Sequence, residues 1–230
     1  MMLYLPLTDW IGRALAPVML LLLALLSGCN VAGLAAQAMP PPQIEPQYKG
    51  LAGETVAVMV WVDRAVRIDW PTMQLDLGTA IHKRLEDAAI SAKKPPKELL
   101  GTQFPVRPAS VVRFQKDNPE LDAYPITEIA PRLGVSRLVY VEVEDFSTRS
   151  LMAASLFRGS ITGTLRIIEI SPDGKARIAY EENNISSIFP PKSPEEGVLN
   201  TNDYAMYVGT LREFTQQIAD RLMRHEERTR

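Results

Sequence analysis

Alternation with a period of two and spacing at three to four residues divide most of the chain beyond residue 54 into recognisable elements. Thr55–Val62 reads Thr-Val-Ala-Val-Met-Val-Trp-Val, apolar at both alternating sets: Val56, Val58 and Val60 against Ala57, Met59 and Trp61. A strand of this kind is covered on both faces, which predicts a central place in a sheet. Leu77, Ile81, Leu85 and Ala88 recur at helical spacing and predict a helix over Thr72–Ala89, with Asp69 or Thr72 as its cap. His82 lies beside that stripe, where a partly exposed and chemically idle side chain is expected. Lys93-Lys94-Pro95-Pro96 ends the helix. Gln103–Arg107 suggests a short edge strand next to Pro105 and Pro108, and Ala109–Lys116 a two-turn helix.

The second half reads as a run of strands closed by a helix. A short helix opening at Pro125 ends at Gly134, a glycine suited to the left-handed cap. Arg137–Phe146 alternates, with Val139, Val141 and Val143 on one face and Tyr140, Glu142 and Glu144 on the other. Ser160–Ser171 is a strand, Pro172-Asp173-Gly174 a hairpin turn, and Ala176–Glu182 and Ile185–Phe189 two further strands. Asp203–His225 is a long amphipathic helix with a stripe of Tyr204, Tyr207, Val208, Leu211, Phe214, Ile218 and Leu222. The connection from Phe146 to Gly159 is too apolar for an ordinary surface loop and is expected to pack on the domain, or else to meet a partner or a membrane. These elements predict an α/β (α+β) fold: one mixed sheet of about four to five strands packed by helices, with the long amphipathic helix last.

The first fifty residues follow another pattern. Arg13 precedes an apolar run from Ala14 to Leu26, and Ser27 and Gly28 lead to Cys29, the only cysteine among 230 residues. A spanning helix needs about 20 apolar residues. This run is shorter and contains Pro17, so a cleaved signal is expected over residues 1–28. Leu26-Ser27-Gly28-Cys29 resembles the lipobox of bacterial lipoproteins. That resemblance implies cleavage before Cys29, acylation of its thiol and amine (diacylglyceryl and a palmitate-like chain), and a cell-envelope membrane as the first partner. Asn30 stands where an inner-membrane retention signal of enteric bacteria carries Asp, which implies the outer membrane, facing the periplasm. Residues 29–53 then form a tether whose Pro40-Pro41-Pro42 run favours extended backbone. The domain is expected over residues 54–226, before a charged tail at 227–230.

Charge and residue usage limit the chemistry. The formal charge is −2 and no basic face is visible, which disfavours a nucleic-acid partner. His82 and His225 are the only histidines, and the single thiol is consumed by the anchor, so neither a metal site nor a cofactor site is expected. GxSxG, HExxH and phosphate-cradling glycine motifs are absent from the sequence. Glu142 and Glu144 form the one carboxylate pair on a single strand face, about 6.6 Å apart by strand rise and compatible with acid/base work. The plainer reading is two solvent-facing residues of a half-exposed sheet. Tyr140, Trp61 and Trp70 suit either a sugar or ordinary packing.

The element order, with Ile129-Ala130-Pro131-Arg132-Leu133-Gly134-Val135 running into the strand that begins at Arg137, resembles the α/β module of envelope lipoproteins. These include the amino-terminal domain of TolB, the curli-secretion lipoprotein and activators of penicillin-binding proteins. The chain also resembles uncharacterised lipoproteins of planctomycete-type envelopes. The resemblance implies docking to other envelope proteins in envelope assembly or a secretion machine, without catalysis. Two alternatives stay open: a glycan or peptidoglycan hydrolase using Glu142 and Glu144, and a ring-forming subunit of a secretion complex.

Overall fold

A computed structural model describes residues 42–90 and 95–227. Residues 44–225 form one compact body. The expected signal segment, Cys29 and most of the tether lie outside the described residues. The body starts earlier than the sequence suggests, because Tyr48 and Leu51 are buried in its core.

Four strands make one mixed sheet: β1 (Val56–Val62), β2 (Arg137–Arg149), β3 (Phe157–Ile170) and β4 (Ala176–Phe189), in spatial order β1-β2-β3-β4. β1 runs parallel to β2, and the other pairs are antiparallel. β1 therefore sits at one end of the sheet, not at its centre. It is nonetheless buried on both faces: Val56, Val58, Val60 and Val62 enter one cluster, Ala57 and Met59 the other. Two glutamine side chains and one backbone carbonyl also close its free edge. Gln115 Nε2 donates to the Val60 carbonyl at 3.0 Å, Gln74 Nε2 reaches the same oxygen at 3.3 Å, and Val56 N–H donates to the Gln103 carbonyl. Gln103 makes only this isolated bridge, so the expected strand at 103–107 does not form.

The helices divide between the two faces. α1 (Arg64–Asp69) is capped by Asp63, whose carboxylate accepts from Ala65 N–H at 2.8 Å. α2 (Met73–Ile90) and the last helix, α5 (Asp203–Leu222), cover the face lined by Val139, Val141 and Leu165. Trp70 stacks on Tyr207 in that layer, with ring centres 4.8 Å apart, and meets Phe146 edge-on. α3 (Pro108–Asp117), a 3-10 turn at Pro119–Ala123 and the short α4 (Ile126–Ile129) cover part of the opposite face. The turn after α4 ends at Gly134, whose φ of +68° is the left-handed conformation that glycine adopts without cost.

Several elements depart from the sequence reading for identifiable reasons. β2 continues to Arg149 because a bulge between Val143 and Asp145 resets the alternation, leaving Phe146, Thr148 and Ser150 buried in turn. The two expected strands at 176–182 and 185–189 are one strand. A register shift opposite Thr164 absorbs Asn183 and Asn184, the latter at φ +58°, a region that asparagine tolerates better than most residues. In α5, Tyr204 and Val208 are exposed, not core. Tyr204 and Leu222 are eighteen residues apart, five full helical turns, and so share one angular position. Leu222 is fully buried, whereas Tyr204 lies in the first turn, beyond the packing surface. His82 is buried as well, edge-on to Phe104, and burial lowers its pKa.

Candidate functional site

The uncovered half of the second sheet face carries the sequence-predicted carboxylates. Across β2, β3 and β4 the cross-strand neighbours there are Glu142, Thr164 and Arg166, with Glu181 and Asn183. Arg166 bridges two acids: Nη1 donates to Glu142 at 2.6 Å and Nε to Glu181 at 2.8 Å. These hydrogen bonds outweigh its partial desolvation and raise the guanidinium pKa further. Glu144 occupies the bulge of β2 and is exposed; its carboxylate accepts from Thr164 Oγ1 at 2.7 Å. Each carboxylate of the pair thus has its own structural partner.

Beside this ladder lies a cavity of about 150 Å³ between the sheet and the 108–129 segment. Met59, Trp61, Tyr140 and Glu142 line it from the sheet, and Gln115, Leu121, Asp122, Tyr124, Ile126 and Ile129 from the helical side. Glu142 reaches it and Glu144 does not. Tyr140 is largely buried, and desolvation with the nearby Glu142 charge drives its hydroxyl pKa well above the usual phenol range. Of the aromatics considered from sequence, Trp61 and Tyr140 wall this cavity, while Trp70 belongs to the core on the other face.

A second, more open groove of about 420 Å³ lies at the other end of the sheet, around Arg137, Glu54 and Glu169. Its guanidinium is fully engaged: Arg137 donates to the Gly50 carbonyl at 3.0 Å, the Ser136 carbonyl at 2.8 Å and Glu54 at 2.8 Å. Tyr48 donates to Glu169 at 2.9 Å, and burial together with that carboxylate pushes its hydroxyl pKa up to about 12. Glu169 also pairs with Arg177. These bonds fasten residues 48–55 to the start of β2 and the end of β3.

Half of the Phe146–Gly159 connection is strand. The true tip is Ser150–Leu156, a turn between β2 and β3 with Leu151 and Met152 pointing to solvent. Its stem is held rigidly. Arg149 makes a two-pronged ion pair with Asp203 at the start of α5 (2.6 and 2.9 Å), and Thr148 Oγ1 donates to the same carboxylate. The Arg149 hydrogen bonds keep the Asp203 carboxyl below its ordinary pKa. The sequence marked this segment by its apolar character, but the bulge hid where the strand ended. Cys29 and the lipobox lie outside the described residues, and among these no helix is long and apolar enough to cross a membrane.

No protein-family profile matches the chain, and no curated protein matches it. Among solved structures, it is similar to the hypothetical protein CT253 of Chlamydia trachomatis (18% identity, TM-score 0.44), over 74% of this chain and 95% of that one. It is similar to lipoprotein GNA1162 of Neisseria meningitidis at 14% identity and TM-score 0.41, over 72% and 98% of the two chains. The PelC dodecamer from Paraburkholderia phytofirmans aligns at 9% identity and TM-score 0.38, over 80% and 96%.

Proposed function

We propose that the chain is a lipid-anchored envelope module that docks other envelope proteins and carries out no catalysis. The anchor rests on Leu26-Ser27-Gly28-Cys29. The docking role rests chiefly on how the Glu142–Glu144 pair is used. Glu142 is bound to Arg166, Glu144 to Thr164, and only Glu142 faces an enclosed volume. A retaining or inverting glycosidase needs both carboxyls on the scissile bond, across roughly 5–9.5 Å of shared site. Here the pair holds a sheet surface together. That ladder and the edge of β4, unpaired among the described residues, give a partner protein a rigid, polar surface on which to dock.

Two measurements test the reading. Cys29→Ser should move the protein from the membrane pellet to the soluble envelope fraction; undiminished pelleting refutes the anchor. Crosslinking in intact cells should capture envelope proteins with the wild-type chain and lose them with Glu142→Gln/Glu144→Gln, which dissolves the ladder; unchanged capture refutes that docking surface. Release of glycan fragments by purified protein, lost in that double variant, would establish the hydrolase instead.

A further inference from the structure

From the hairpin tip at Ser150–Leu156 we infer a second membrane contact: Leu151 and Met152 insert into the headgroup boundary of the bilayer that holds the lipid anchor. The inference rests on the proposed acylation of Cys29 for its geometry. Ser150-Leu151-Met152-Ala153-Ala154-Ser155-Leu156 contains no charge and lies between Arg149 and Arg158. Leu151 is 102% exposed and Met152 69%, although the stem beneath them is pinned by the Arg149–Asp203 pair. An unsupported apolar loop would fold back onto the body; this one is held outward.

Three observations favour lipid as the occupant. First, the tip is closed on itself by three of its seven amides. Ser150 N–H donates to the Leu156 carbonyl at 3.0 Å, Leu156 N–H to the Ala153 carbonyl at 2.9 Å, and Met152 N–H to Ser150 Oγ at 3.2 Å. The other amides keep headgroup water when only the Leu151 and Met152 side chains insert. Second, Tyr204 is exposed on the adjacent first turn of α5, while the arginines at the base of the loop are engaged, Arg149 by Asp203 and Arg158 by the Glu195 carbonyl. An exposed aromatic ring beside an uncharged apolar tip suits the headgroup interface, where such rings concentrate.

Third, the tether has the reach. Tyr48 bonds to Glu169 near the far end of β3, so the chain joins the body about 40 Å from the tip along that strand. Cys29 precedes Ile44 by fifteen residues, which span about 45 Å at the polyproline II rise. With those two lengths nearly equal, an acylated Cys29 lets the body turn its tip back to the same bilayer. Two apolar side chains bind a bilayer only weakly on their own, and confinement by the anchor converts that contact into an intramolecular one.

The full-length acylated protein offers a clean probe, because Cys29 is the only cysteine and its thiol is blocked by the lipid. Met152→Cys, labelled with an environment-sensitive fluorophore, is reconstituted into phosphatidylethanolamine/phosphatidylglycerol vesicles; Lys175→Cys, on the opposite hairpin, is the control. The expected result is a blue shift and quenching by bromolipids at position 152, both absent at 175, and both lost when Leu151→Asp is added. Vesicle-bound protein without bromolipid quenching at 152 overturns the inference. So does a blue shift that grows with protein concentration and ignores bromolipid, since a second copy would then cover the tip. The mass of the peptide bearing residue 29 reports acylation separately. If that residue is bare, the confinement that the tip contact depends on is refuted and the inference falls with the anchor; an acylated chain without quenching at 152 refutes the tip contact alone.

Discussion

Phe214→Ala is the sharpest test of how the last helix is seated. Phe214 is fully buried, its ring packed over Gly163 of β3 in the main core. Truncation removes the transfer free energy of a buried aromatic ring and leaves a cavity that rigid neighbours cannot fill. Together these cost about 3–5 kcal/mol. For a body of this size each kcal/mol moves Tm by about 2–4 °C, so calorimetry should show a fall of roughly 6–20 °C. Tyr204→Ala supplies the internal comparison. It alters the same helix ten residues earlier, at a side chain that is 74% exposed, and should stay within about 0.5 kcal/mol of wild type. Equal shifts for the two variants, or a fall below about 3 °C for Phe214→Ala, would refute the assigned face.

His82 is buried, its Nδ1 has no hydrogen-bond partner, and its pKa is lowered by burial. Its neutral form belongs to the fold, so its contribution is complete above about pH 6.5 and is lost as pH falls through the lower folded value. His82→Leu should flatten Tm against pH below about 6.5 and raise neutral stability by about 1 kcal/mol; an unchanged slope would contradict this. Arg221 holds Glu182 at 2.7 and 2.8 Å and lowers its pKa. That pair stabilises fully above about pH 4.3 and fades as pH drops through the folded value, so Arg221→Met should cost about 1 kcal/mol at pH 7 and nothing in strong acid, read from urea midpoints. Gly163→Ala would drive a Cβ into the Glu142 carbonyl oxygen of the neighbouring strand and should destabilise by about 1–3 kcal/mol in the same assay.

Elements governed by local rules were legible in the chain. The α2 stripe, the Pro172-Asp173-Gly174 turn, the Gly134 cap and the start of β2 all follow from spacing and turn chemistry. What failed depends on groups distant in sequence. β1 reads as central because both of its faces are apolar, yet its edge is closed by Gln74, Gln103 and Gln115 from three separate segments. Alternation cannot reveal a bulge, so β2 and β4 are longer than their regular stretches. The stripe of α5 is right in angle and wrong in extent, because the helix overhangs its support at Tyr204. For the site, strand alternation put Glu142 and Glu144 on one face, but not Arg166 and Thr164, which engage them from β3.

The kink at Asn183-Asn184 interrupts the long margin of the sheet that stays unpaired among the described residues. A lipid anchor would crowd copies of the chain into a plane with their margins side by side, where an unbroken ribbon of free amides invites runaway stacking. By throwing the ribbon out of step at its midpoint, two asparagines leave no continuous template for a neighbour's backbone. On the proposed anchor, a neighbour meeting this margin would have to read its side chains and not an unbroken backbone edge.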